Sequence, residues 1–178
     1  MTHDMSVTRF RLGMSRVAGA VSIVATGPMA DPASWRGMTA TAVCSLCAEP
    51  PSLVACLNRI SGTYQQLDPD GMFSVNVLSS RHIKLARIFA GQTRLTGADR
   101  FMPADWTRGT SPVPVLADAL VSFECRVVQS VEYGTHSVLI GGITAARWAE
   151  KDLKPLVYHR HRFCDLGRDI EVTGGPIA

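Results

Sequence analysis

The sequence predicts a mainly β chain with a few helices, arranged as an antiparallel barrel. Segments that alternate at period two outnumber those with helical spacing. The strands are not interleaved with helices in the βαβ manner that a parallel sheet requires. Turn signals such as Asp68-Pro-Asp-Gly71 separate neighbouring strands. With 178 residues, the chain suits one well-buried domain better than two. A single domain over 1–178 is expected, with its core from about 8 to 166 and a loose tail over 167–178, ending in Thr173-Gly-Gly-Pro-Ile-Ala178.

Taken in order, Thr8 to Val17 is an opening helix, because Phe10, Met14 and Val17 stand at i, i+4 and i+7. Gly19 ends it, and Val21 to Thr26 is the first strand. Gly27 to Ser34, with Pro28, Asp31 and Pro32, turns the chain back. From Met38 to Cys47 two faces alternate. Met38, Ala40, Ala42, Cys44 and Leu46 form an apolar face expected to be buried, against Thr39, Thr41, Val43, Ser45 and Cys47. That second face has no charge and little bulk, so a flat polar ligand could approach the backbone there. Gly37 opens the strand and Pro50-Pro51 closes it, since proline cannot donate to a ladder. Ser52 to Asn58 is the next strand. Thr63 with Gln66 fits a capping box and starts a helix.

After the Asp68–Gly71 turn, Phe73 to Leu78 is a strand and Ser80 to Ala90 a helix stopped by Gly91. Arg81, Lys84 and Arg87 form a solvated face of that helix. Thr93 to Pro114 is the longest irregular stretch, of the kind that covers something. Ala119 to Gln129 and His136 to Arg147 are strands, with Gly141-Gly142 inside the second. Pro155 to Phe163 is the last strand.

Composition narrows the function. A chain 46% hydrophobic and 19% charged has the make-up of a globular protein. Its 18 basic and 15 acidic residues give a net charge of +3, which suits an anionic ligand. No basic stripe with interleaved aromatics points to nucleic acid. The N-terminus does not read as a signal peptide, and no apolar run is long enough to span a membrane, so a cytoplasmic address is expected. The five cysteines do not form a disulfide framework. Cys44 and Cys47 would point to opposite faces of an unbroken strand, so no metal site is expected. Dinucleotide, P-loop, G-x-S-x-G and H-E-x-x-H patterns are all missing.

Three groups could carry chemistry. Ser61-Gly62 before a helix start at Thr63, with Arg59 beside it, is a candidate phosphate cradle. His136, after Tyr133-Gly134-Thr135, is a candidate titratable group at a hairpin mouth. Tyr158-His159-Arg160-His161 offers stacking surface and charge to an adenine and a pyrophosphate. It reads equally well as the polar side of an edge strand.

Gly37-Met-Thr-Ala40, Glu49-Pro-Pro51, Asn58-Arg-Ile-Ser-Gly-Thr63 and Phe73-Ser-Val-Asn-Val-Leu78 occur in one order with Phe89-Ala-Gly91, Arg100-Phe101, Pro114-Val-Leu116, Glu124-Cys125, Gly134-Thr-His136 and Pro155-Leu-Val-Tyr158. From about Phe10 to Leu166 this set resembles the small flavin reductases with an FMN-binding split barrel, the reductase partners of two-component flavin monooxygenases. The resemblance implies a homodimeric, antiparallel Greek-key split β-barrel that binds FMN or FAD and reduces it with NADH or NADPH. It places the flavin ring along Gly37, Met38, Thr39, Ala40, Thr41 and Ala42 and along Cys56, Leu57 and Asn58, with Arg36 among the cofactor-binding residues. Ser61 and Thr63 fall at the phosphate, Phe89 among the flavin contacts, and Tyr158, His159, Arg160 and His161 at the nicotinamide cofactor. His136 is the catalytic candidate beside the nicotinamide, although Thr135 stands where the family usually has aspartate. Thr41 and Cys47 also depart from the usual residues. The expected recipient of reduced flavin is a separate oxygenase component. A flavin-retaining reductase that passes electrons to a bound cob(II) corrinoid, or a non-catalytic flavin-binding module, are the alternatives.

Overall fold

The computed structural model describes residues 6–68, 70–150 and 153–167. Helix α1 covers Val7–Met14, followed by β1 (Gly19–Ala20), β2 (Ser22–Thr26), β3 (Arg36–Ala40), β4 (Val43–Ala48) and β5 (Pro51–Asn58). A single turn, α2 (Gly62–Gln65), leads to β6 (Met72–Val77) and α3 (Ile83–Phe89). Then come β7 (Trp106–Arg108), β8 (Pro114–Leu116), the long pair β9 (Val121–Tyr133) and β10 (His136–Trp148), and finally β11 (Val157–His159) and β12 (Arg162–Cys164). Short 3-10 turns occupy Pro32–Ser34, Ser80–His82 and Gly97–Phe101. The tail expected beyond Gly167 lies outside the described residues. No described helix is long and apolar enough to cross a membrane.

Seven strands make one antiparallel sheet in the order β3-β2-β6-β9-β10-β5-β4. This order corrects the expectation of one strand from Met38 to Cys47. β3 and β4 are separate strands at opposite edges of the sheet, and Thr41 and Ala42 carry the chain from one edge to the other. The Cys56 N–H donates to the Ala42 carbonyl at 2.9 Å, which extends the β4–β5 pairing by one residue toward the crossing. The alternation conceals the break because each half keeps period two by itself. Beyond it, the expected buried face fails: Ala42 and Cys44 are exposed, and Leu46 is 48% exposed.

β4 also contains a bulge. Ser45 pairs with Leu53 and Cys47 with Ser52, leaving Leu46 without a partner. Cys44 pairs with Val54, so Cys44 and Cys47 oppose residues two apart on β5 and share one face. The expectation of opposite faces assumed unbroken alternation and is overturned.

The sheet separates two apolar clusters. Val24, Leu53, Ala55, Leu57, Phe73 and Leu139 fill one side. Cys125 is among them, and its thiol is pushed up to about 12, first by burial and then by neighbouring Glu124. Ile23, Ala25, Leu85, Ala86, Phe89, Phe101 and Leu116 pack between the other side and α3. The stretch Thr93 to Pro114 is less irregular than expected, because it folds down as a lid on this second cluster. Trp106 meets Phe101 at 4.7 Å and Phe89 at 5.7 Å between ring centroids. Buried Glu124 pins its far end by accepting from the N–H groups of Thr110 and Ser111. Gly109 permits that approach, since a Cβ there would lie 1.9 Å from Glu124 Oε1.

The helix expected from Ser80 begins as a 3-10 turn and continues as α3, with Gly91 at φ +73 as its stop. Arg81, Lys84 and Arg87 are exposed on it, as expected. The last strand is in fact a hairpin. Arg160 and His161 take φ of 49 and 61 and form the turn between β11 and β12.

Candidate functional site

At the end of the sheet, β3 bonds only to β2, and its other edge carries no strand among the described residues. Neither face of β3 is free. A Cβ on Gly37 would lie 2.6 Å from Phe89 Cε1, and the Thr39 hydroxyl donates to the Ala86 carbonyl at 2.7 Å. Both therefore face α3. Met38 and Ala40 turn to the opposite cluster. What β3 offers a ligand is its backbone edge. Phe89, expected among the flavin contacts, is 2% exposed and supports that edge from behind.

The start of α2 sits against this edge. Its N-cap is Ser61, whose Oγ accepts from the Tyr64 N–H at 3.2 Å and donates to the Asn58 carbonyl at 2.7 Å. The capping box expected at Thr63 and Gln66 does not form, because Thr63 lies inside the turn with its side chain buried. The sequence offered two hydroxyls, and the strand's exit angle at Asn58 selects the first. Asn58 Oδ1 accepts from the Ile60 N–H at 3.1 Å and shapes that exit.

Between β3 and α2 lies a cleft of about 360 Å³ lined by Arg36, Gly37, Met38, Ile60, Ser61, Gly62, Thr63, Gly97 and Arg100. Six of these were expected from the sequence. Arg36 passes over Gly62, within 3.4 Å of where a Cβ would stand, and its Nη1 donates to the carbonyls of Ala33 and Trp35. Arg100 closes the other side, its Nε donating to the Leu95 carbonyl at 3.1 Å. Two guanidiniums beside the bare glycine at the start of α2 line a cleft that can take an anion. Arg100 and Gly97 were missed as site residues. The available signal was Arg100-Phe101, in which Phe101 enters the aromatic cluster and thereby fixes its neighbour.

A second group forms around the β9–β10 turn. His136 pairs in register with Asn58, so it stands beside the end of β5 and is exposed. Thr135 Oγ1 and His136 Nδ1 are 2.9 Å apart, so the hydroxyl holds the ring that a carboxylate would otherwise orient. Arg59, suggested for the phosphate, turns away from the cleft. It pairs with Glu132 at 2.6 Å, and Tyr64 Oη donates to the same carboxylate at 3.0 Å. Cys56 and Asn58 are half-buried on the outer side of β5, whereas the Leu57 side chain is fully buried and leaves only backbone to a ligand. Thr41 and Ala42 are exposed at the crossing.

Tyr158 to His161 stands apart in this chain, and none of the four lines the cleft. Tyr158 pairs with Gly19, where a Cβ would lie 3.1 Å from Thr41 Cβ, and the Arg160 N–H donates to the Ser15 carbonyl at 2.7 Å.

The family described as the flavin reductase like domain matches residues 14–167. The chain belongs to this family. A flavin reductase relative, FMN reductase (NADH) RutF 2 of Methylorubrum extorquens (strain PA1), is 43% identical over 141 residues, 79% of this chain and 79% of that protein. The Streptomyces globisporus C-1027 NADH:FAD oxidoreductase SgcE6, solved in complex with NAD and FAD fragments, matches with a TM-score of 0.81 and 26% identity over 92% of this chain and 94% of that one. BorF, the flavin reductase component of a bacterial two-component tryptophan halogenase, matches with a TM-score of 0.81 and 27% identity, covering 92% of this chain and 100% of BorF.

Proposed function

We propose that this chain is an NAD(P)H-dependent flavin reductase, with FMN as flavin and NADH as reductant, that supplies reduced flavin to a partner oxygenase. The observation that carries the reading is the cleft in which Arg36 and Arg100 flank Ser61 and Gly62 beside the bare edge of β3. A monophosphate fits between two guanidiniums, and a planar ring can lie against the backbone from Gly37 to Ala42. Relatives named FMN reductase (NADH) favour this cofactor pair.

Bound flavin supplies the hydride acceptor, and the protein contributes position. Gly37 would let the ring approach, backbone N–H groups along the crossing would stabilise charge at its pyrimidine edge, and the N–H groups that follow Ser61 at the start of α2 would anchor the phosphate with the two arginines. His136, steadied by Thr135, would meet the nicotinamide. The hairpin Tyr158–His161 serves the rest of that cofactor. The protein acts as a homodimeric split barrel, a form supported by α1, whose Val7, Phe10 and Met14 are each more than half exposed. Five free cysteines suit a reducing compartment, and we place the protein in the cytoplasm.

Steady-state oxidation of NADH tests the reading directly. Turnover is expected to depend on added FMN and to saturate with it. A purified, folded protein that oxidises neither NADH nor NADPH in the presence of FMN or FAD would refute it.

A further inference from the structure

We infer that α1 of one copy seats in an apolar groove beside β4 of a second copy, so that two chains exchange helices across a two-fold axis. This rests on the homodimer in the reading above and adds which surfaces meet.

Among the described residues the helix has no partner in its own chain. None of its eight residues is buried, and Phe10 and Met14 are 56% and 51% exposed. Val7, Phe10 and Met14, at i, i+3 and i+7, form one flank. A helix this short is marginal in water and needs packing to persist.

The groove has the complementary character. About 490 Å³ in volume, it is walled by Val43, Leu53, Val77, Phe123 and Ile143, and no charged side chain among the described residues lines it. The volume accommodates more than one large apolar side chain. Charge agrees at the edge: Arg9 and Arg11 lie on the helix and Arg16 just beyond it, while Glu49 follows Ala48, a lining residue, in the turn from β4 to β5. Position agrees as well. Ala20, in the strand that follows α1, lines the groove, so each helix is tethered near the mouth of its own groove. A two-fold axis there sets each helix over the other copy's groove and buries both unpartnered surfaces, as an isologous contact requires.

The native thiols at the groove provide the test. In a Phe10→Cys variant, mild oxidation with diamide is expected to give a covalent dimer whose linked peptides join residue 10 to Cys44 or Cys47. That product should vanish when Cys44 and Cys47 are both serine. Separately, Phe10→Glu should raise the dimer dissociation constant by at least ~10-fold, as expected for an anchor in a desolvated pocket. A dimer by light scattering with no such cross-link, with a bond from residue 10 to residue 10, or with the link inside one chain would overturn the seating and leave the dimer intact. A monomer at micromolar concentration would overturn both. FMN-dependent NADH oxidation, assayed on the same samples, reports independently on the reductase reading.

Discussion

Arg36 and Arg100 reach the cleft from distant parts of the chain, and backbone carbonyls hold each in place. Little side-chain entropy remains to be lost when an anion arrives, so each should contribute as a charge-assisted bond. Arg100→Ala is expected to weaken FMN affinity by about 1.5–3 kcal/mol in a fluorescence titration while thermal stability changes little. An unchanged affinity would move the phosphate away from this cleft. His136 makes the opposite prediction. Its ring is exposed and, among the described residues, bonded only to Thr135, so His136→Ala should leave FMN affinity almost unchanged and lower NADH turnover by about tenfold, ~1.4 kcal/mol. A fall in affinity with turnover per bound flavin preserved would assign the residue to the flavin pocket instead.

At the scale of elements, β3 is proposed as the ligand edge because α3 and the aromatic cluster fill the space behind it. Phe89 meets Phe101 edge-on at 4.9 Å and cannot retreat, so Gly37→Ala forces either the ring or the strand to move. Overpacking of this kind costs about 1–3 kcal/mol of stability. Chemical denaturation should report that loss, and FMN affinity should fall with it because the moved element is the binding edge. A variant of full stability and full affinity would mean that the strand does not present the ring's seat. The long segment over Trp106 works on the same element, since its arene contacts lock Phe89 from the other side.

For the whole molecule, the question is whether flavin leaves. The cleft lies at a sheet edge and the crossing residues Thr41 and Ala42 are exposed, which favours a flavin that exchanges with solvent. After anaerobic reduction with NADH, rapid filtration is expected to leave reduced FMN in the filtrate. Retention on the protein, with reduction of an added cob(II) corrinoid, would instead make this a direct electron donor.

By itself the sequence determined the mainly β class, most of the strands, the stop at Gly91 and, through its ordered family motifs, the segments that meet at the cleft. These are local properties: alternation, helix spacing and turn residues act over a few neighbours and can be read along the chain. Tertiary structure alone decided where Met38 to Cys47 breaks, because a strand's partner is a distant segment and the jump from one sheet edge to the other leaves no mark on period two. It decided that Leu46 bulges, which brought Cys44 and Cys47 to one face, and that Ser61 rather than Thr63 caps α2. It also paired Arg59 with Glu132 and delivered Arg100 to the anion site in its place. A long side chain serves whichever opposite charge the fold brings within reach, and that distance is set only when the sheet has closed.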